Sequence, residues 1–305
     1  MNPCLDKTLT VPPWEPGDNV RGESVREVVG GKGNNVARAL TLLGRAARPV
    51  TFLGGAIGAH CEDLLRRDDG LDPLISPTRA STRTILTVRS TTTPATAFFD
   101  PDPAVDDAEA ADLHHRVEGA LSAGGVEAIT LSGSSPSAAT HELFSELIAT
   151  ARARRIPAFL DTYGPPLDAI WGFWPEAIQL NRREAGLHLR TPDPTDADVL
   201  NLLRRWSGHG VKLAIVTDGP GPVLAIANGR AYRVIPPAIE AVNPIGSGDC
   251  LLAGLVDARL RGDDHEAILR HAVGCAVANA QVWDAGAIDP ASAAMAAKAV
   301  VIEAL

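Results

Sequence analysis

Short, continuously apolar runs alternate along this chain with longer stretches whose apolar residues recur at helical spacing. Pro49 to Leu53, Ala128 to Leu131, Ala158 to Asp161, Ala177 to Leu180 and Leu213 to Thr217 are runs of the first kind, each closing at or beside Gly, Ser, Asp or Asn. A strand that is apolar at every position is covered on both faces, as in a parallel sheet. Ala108 to Leu121, Ala138 to Arg154 and Asp196 to Trp206 read as helices between them. The alternation predicts an α/β fold: a doubly wound, mainly parallel sheet flanked by helices, with ligands gathered at the carboxyl ends of the strands. Two segments differ. Residues 7–28 carry Pro12, Pro13 and Pro16 among alternating residues, and residues 83–99 carry Ile85, Leu86, Val88, a threonine run and Phe98-Phe99. Such composition predicts exposed antiparallel strands outside the buried sheet.

No internal repeat, long linker or low-complexity tract interrupts the 305 residues, so residues 1–305 read as one domain. Asp100-Pro101-Asp102-Pro103 and Thr191-Pro192-Asp193-Pro194 read as loops before helices. No apolar run is long enough to span a bilayer, and Asp6 and Lys7 arrive before a signal-peptide core could form, so a cytoplasmic location without a membrane partner is expected. Cys4, Cys61, Cys250 and Cys275 have no Cys-x-x-Cys spacing and read as free thiols. The formal net charge of −9 argues against nucleic acid as a partner, though not against an anionic small molecule held by a few local cations. The histidines, including His114-His115, show no metal-ligand arrangement, and Trp171 and Trp174 read as packing around a short apolar turn.

Asn243-Pro244-Ile245-Gly246-Ser247-Gly248-Asp249 carries the clearest chemistry. Two glycines allow a tight turn whose N–H groups converge, and the apolar helix that follows adds its unpaired first-turn amides. Two readings fit Asp249: a general base beside an anion hole, or a cap for the helix. Near the other end, Gly30-Gly31-Lys32-Gly33-Asn34-Asn35 is neither a Walker loop, since Gly33 follows the lysine, nor a dinucleotide fingerprint, which needs a third glycine. It is a glycine turn with one cation and two amides, suited to a polyhydroxylated or phosphorylated small molecule.

Together and in this order, the two stretches resemble the two signatures of the PfkB-type, ribokinase-like carbohydrate kinases. Weaker likenesses agree in order: Asn2-Pro3-Cys4-Leu5-Asp6, Phe52-Leu53-Gly54-Gly55 with Gly58, Thr82-Arg83, Ser132-Gly133-Ser134-Ser135-Pro136, Asn181-Arg182-Arg183-Glu184 and Thr217-Asp218-Gly219-Pro220-Gly221. The resemblance implies phosphorylation of a sugar phosphate by ATP with Mg²⁺. Asp249 would be the base, and Gly246, Ser247 and Gly248 the anion hole. Asp6, Gly31, Lys32, Asn35, Arg83 and Ser132 would bind the sugar. Asn181, Thr217, Gly219, Gly221 and Asn279 would line the nucleotide, Ala276 would stand with Asn279 beside the adenine, and Glu184 would reach the metal through water. It also implies a small β lid at about 7–28 and 83–99, and a homodimer through that lid.

Within the family, Asn2-Pro3-x-x-Asp6 with Thr82-Arg83 favours phosphosugar kinases: 1-phosphofructokinase first, then tagatose-6-phosphate kinase or 6-phosphofructokinase. A kinase for an unphosphorylated sugar or a nucleoside, and a sugar-phosphate sensor with impaired turnover, are the alternatives. The chain departs from the pattern at Gln179-Leu180, where the family has Lys-Pro, at Ser135-Pro136-Ser137-Ala138, where it has Leu-Pro-x-Gly, and at Asn34. Relatives have a short strand before the first motif, so either a late start or a shortened first strand is expected here.

Overall fold

Strand follows helix because the fully apolar runs can be satisfied only between two helical layers. In the computed structural model, residues 1–91, 94–170 and 172–305 are described; Thr92 and Thr93 of the threonine run, and Trp171, lie outside them. The elements are β1 (Cys4–Thr10), β2 (Ser24–Gly30), α1 (Lys32–Leu42), β3 (Val50–Gly54), α2 (Gly55–Arg67), β4 (Leu74–Thr78), β5 (Arg83–Arg89) and β6 (Thr96–Phe99). There follow α3 (Asp107–Ala123), β7 (Ile129–Ser132), α4 (Leu143–Ala153), β8 (Ala158–Asp161), α5 (Pro165–Asp168), β9 (Ala177–Asn181), α6 (Arg182–Leu189) and α7 (Asp196–Gly208). The last are β10 (Leu213–Thr217), β11 (Val223–Ala227), β12 (Arg230–Ile235), α8 (Ser247–Arg261), α9 (His265–Ala280), α10 (Pro290–Ala299) and β13 (Val301–Ala304).

The main sheet has seven strands in the order β13-β12-β11-β10-β9-β8-β7. Strands β7 to β10 are parallel, and β10 to β13 antiparallel. One face packs Ile215, Ala225 and Val234 on α8 and α9 through Leu252, Leu255 and Ala272. The other packs Leu160, Ile178 and Val216 on α3, α4 and α7 through Leu113, Phe144 and Leu202. Helices therefore cover both faces, as the doubly wound reading requires. Strand β3 does not join this sheet; it pairs in parallel with β4 alone, while its Phe52 shares the apolar cluster of Leu131.

A separate four-stranded sheet has the order β2-β1-β5-β6. Its outer pairs are antiparallel as expected, but its central pair, β1 with β5, is parallel. That register sets Cys4 opposite both Gly30 and Arg83. The start of β1, the end of β2 and the start of β5 thus meet at one edge, bringing Asp6, Gly31 and Arg83 together. The expected helix 138–154 is split: a 3₁₀ turn at Ala138–Thr140 precedes α4. Ser135 and Thr140 hydroxyls both donate to the Ser137 carbonyl and hold that turn instead. All four cysteines are buried free thiols.

Candidate active site

The carboxyl ends of β7, β8, β9 and β10 bring Ser132, Asp161, Asn181 and Thr217 to one edge of the main sheet, where the amino end of α8 also arrives. Gly246 precedes α8 with φ 87°, and a Cβ there would lie 2.8 Å from Ala285 Cα, so only glycine fits. No side chain caps α8, so Asp249 in its first turn is not the helix cap that one reading allowed. Its carboxylate is 5% exposed and accepts from Asn35 Nδ2 at 2.7 Å. Burial, then the neighbouring Asp161 carboxylate, push the Asp249 pKa up to about 7, against the pull of Asn35 and Lys32. The Gly248 carbonyl accepts from Gln179 Nε2 at 2.9 Å, which ties the turn to β9.

Lys32 opens α1 and spans two carboxylates, with Nζ 2.8 Å from Asp161 Oδ1 and 3.0 Å from Glu184 Oε1. Burial alone would lower its pKa, but the Asp161 and Glu184 charges more than offset that and hold it well above the usual lysine value. Asp161, 2% exposed, is pushed up by burial and drawn back by Lys32. Glu184 uses both of its carboxylate oxygens within the protein. One oxygen accepts from the Asn181 backbone at 3.0 Å, completing a capping box with Asn181 Oδ1 on the Glu184 amide at 2.8 Å. The other oxygen is on Lys32.

On the side of the four-stranded sheet, Arg83 Nη1 is 2.7 Å from Asp102 Oδ1, which also accepts from Asn2 Nδ2 at 2.7 Å. Asn2 Nδ2 reaches Ser134 Oγ at 3.1 Å as well. Asn2 Oδ1, Arg83 Nε and Ser132 Oγ are buried without a hydrogen-bond partner among the described residues. Burial raises the pKa of Asp6. A Cβ on Gly31, at φ 105°, would come 3.1 Å from Pro3 Cα, so this glycine lets the turn lie against the first motif. On the opposite side, Gly219 has φ 53° and the Gly221 amide closes a turn on the Asp218 carbonyl at 2.8 Å. Arg182 pairs with Asp218 at 2.8 Å, beside Thr217.

Against known proteins, residues 1–292 match the model of the pfkB family of carbohydrate kinases. The chain belongs to that family. Solved structures share its fold. Phosphofructokinase-2 from Escherichia coli in complex with potassium superposes with TM-score 0.89 at 24% identity, covering 98% of this chain and 96% of that one. A possible 1-phosphofructokinase from Thermotoga maritima gives 0.88 at 21% identity, covering 100% and 98%. The chain is thus an ATP-dependent carbohydrate kinase with a ribokinase-like fold.

In this pfkB kinase Ser132, Asn181, Thr217 and the first turn of α8 lie at one edge of the main sheet, and two of the expected residues already have partners within the protein. Asn35, expected at the sugar, holds Asp249. Asn279 is fully buried, and its amide donates to the Asp284 carbonyl at 2.9 Å and the Ala287 carbonyl at 3.1 Å. It braces the loop behind α8. Asp161, Asn2 and Asp102 join the site without having been singled out for a role. For Asp161 a signal existed: an acidic residue ending a fully buried strand, level with Ser132 and Asn181. Trp174 stacks on His209 at 4.8 Å, consistent with packing.

Proposed function

We propose that this kinase transfers the γ-phosphoryl group of ATP to a hydroxyl of a phosphorylated ketose, fructose 1-phosphate first, yielding fructose 1,6-bisphosphate. The observation that carries the reading is Asp249: a buried carboxylate with a pKa of about 7 in the first turn of α8, directly after the glycine turn. A base poised near neutral pH can take a hydroxyl proton and later release it.

In the step itself, the acceptor hydroxyl oxygen bonds to the γ-phosphorus as its proton passes to Asp249. The bond from that phosphorus to the bridging oxygen breaks, and its electron pair leaves on ADP. The amides of Gly246 and Gly248 face the charge on the transferring group, each such donor being worth about 2.7–4 kcal/mol of barrier; that of Ser247, which donates to the Pro244 carbonyl at 3.2 Å, would have to leave that bond to join them. Lys32, fixed by Asp161 and Glu184, keeps a positive charge beside this turn. Asp6, Gly31 and Ser132 bind the sugar, and Arg83 binds its phosphate. Thr217, Gly219, Gly221 and Asn181 flank the nucleotide. Among the described residues no three His, Cys, Asp or Glu side chains gather into a metal cage. Mg²⁺ would sit mainly on the phosphates and water, with Glu184 reaching it through water. When bound, Mg²⁺ neutralises phosphate charge.

The four-stranded sheet would act as a lid over the sugar and pair with its copy in a homodimer, a reading supported by Phe98 and Phe99, 56% and 64% exposed on β6. No described helix is long and apolar enough to cross a membrane. Tagatose 6-phosphate and fructose 6-phosphate are the nearest alternative acceptors. An unphosphorylated sugar is a second reading, favoured by one observation: Arg83 already has a carboxylate partner in Asp102. An ADP-release assay with Mg-ATP against fructose 1-phosphate, fructose 6-phosphate, tagatose 6-phosphate, fructose, ribose and adenosine tests all of these. Turnover of one phosphorylated ketose, lost in Asp249→Asn, is expected. Turnover of fructose, ribose or adenosine alone would overturn the phosphosugar reading, and ATP binding without any turnover would favour a sensor.

A further inference from the structure

The contact between Arg83 and Asp102 has no part in the chemistry above. The Arg83 side chain is 15% exposed and that of Asp102 46%, so a largely buried guanidinium faces a carboxylate that remains in touch with water. The position of Asp102 is built. It lies between Pro101 and Pro103, and Asp100 before it is pinned to β5: the Thr84 amide donates to Asp100 Oδ2 at 2.8 Å and the Asp100 amide to the Thr84 carbonyl at 3.0 Å. Asn2, 5% exposed, lies against the pair, and Ser132, 3% exposed, stands two residues before the Ser134 that Asn2 also touches; among the described residues Asn2 Oδ1 and Ser132 Oγ have no hydrogen-bond partner. Buried polar atoms left open in this way point to a polar ligand. Two other side-chain cations of the site are already held, Lys32 by Asp161 and Glu184, and Arg38 by Asp69 at 2.7 Å.

We propose that Asp102 is a specificity-determining residue: an internal counter-ion on Arg83 that the phosphate of the acceptor must displace. The proposal rests on the phosphosugar reading. A phosphate dianion brings more charge and more acceptor oxygens than one carboxylate, so it can take over both Arg83 and the Asn2 amide. Asp102, already half in solvent, then turns outward. A neutral hydroxyl lacks the charge to make that exchange, and a carboxylate of equal charge gains nothing by it. Asp102 therefore weakens binding of every anionic acceptor while leaving neutral ones alone, and it sets a threshold that favours phosphate over carboxylate.

Asp102→Asn keeps the shape and one acceptor oxygen but removes the charge; Asp102→Gly removes both. Calorimetric Kd without nucleotide, and KM with Mg-ATP, would be measured for fructose 1-phosphate, fructose 6-phosphate and fructose in wild type, in both variants, and in each variant combined with Arg83→Ala. The expected result is about ten-fold tighter binding of the phosphorylated ketose in Asp102→Asn, equivalent to about 1.4 kcal/mol. Fructose should stay within about two-fold, and the gain should vanish once Arg83 is gone. Unchanged or weaker binding of the phosphorylated ketose in both variants would overturn the proposal, since Asp102 would then only orient Arg83. Binding of fructose with no phosphorylated ketose bound by any protein would instead sink the phosphosugar reading, and the proposal with it.

Discussion

Asn35 donates from Nδ2 to Asp249 Oδ2 across 2.7 Å and so joins the first turn of α1 to the first turn of α8. The direction of that amide is set from behind. Arg38 Nη1 donates to Asn35 Oδ1 at 3.0 Å, and Asp69 holds Arg38 through bonds of 2.8 and 2.7 Å. With its oxygen taken by a guanidinium, Asn35 can present only its NH₂ to the carboxylate. The two signature stretches are thereby one hydrogen-bonded unit.

This unit predicts the pH dependence of catalysis. A base with a pKa of about 7 must be ionised to accept the hydroxyl proton, so kcat/KM should rise with pH up to about 7 and then level. Asn35 favours the charged form, so Asn35→Ala should move that rising limb to higher pH. Profiles of kcat/KM for wild type and Asn35→Ala check this; a limb that stays in place would mean the contact is absent in the working enzyme.

Asp249→Asn should lose about 10²- to 10⁴-fold in kcat and yet be the more stable protein above neutral pH. The folded pKa of Asp249, about 7, lies above its ordinary value of 3.8, so folding favours the protonated form. Below pH 3.8 the carboxyl carries no penalty; as pH rises through about 7 the native state must hold a buried charge and loses stability. An amide never ionises. Thermal melts of the two proteins should therefore separate at alkaline pH, with Asp249→Asn higher, and converge in acid.

Much of this architecture can be read without coordinates. Ala158–Asp161 and Leu213–Thr217 form strands within the bounds that their unbroken apolar character predicts. The parallel pairing of β1 with β5 cannot be read, because alternation reports which face is buried and says nothing of partner or direction. The same limit hides Asp102. Its role depends on a loop laid beside Arg83, and neighbouring residues give no sign of that. Glu184 shows a contact that spacing hides: each carboxylate has two oxygens, and here one caps α6 while the other binds Lys32, 152 residues away in the chain.

Lys32→Met should cost stability as well as activity. It leaves Asp161 and Glu184 buried and without their shared cation, and breaking a buried ion pair from one side typically costs about 3–5 kcal/mol. Urea unfolding at neutral pH should show a loss of that size, shrinking in acid as the carboxylates protonate. A loss below about 1 kcal/mol would place the pair in the weak, solvent-screened class instead.

Gln179 separates positioning from stability. Its Nε2 holds the Gly248 carbonyl at 2.9 Å, while its Oε1 is buried without a partner among the described residues. Gln179→Leu therefore removes one satisfied and one unsatisfied polar atom, exchanges that largely cancel in stability. The turn, in contrast, loses the bond that ties the Gly248–Asp249 peptide, and with it the catalytic carboxylate and the neighbouring Gly248 amide, to β9. Its melting temperature should stay close to wild type while kcat falls about ten-fold, a change of about 1.4 kcal/mol in the barrier. KM for the acceptor should hold, since Gln179 touches the turn and not the sugar cluster. Gln179→Lys, which can still donate to Gly248 and adds a cation near the transferring phosphate, should keep most of the activity. If the leucine variant turns over like wild type, the glycine turn needs no brace from β9.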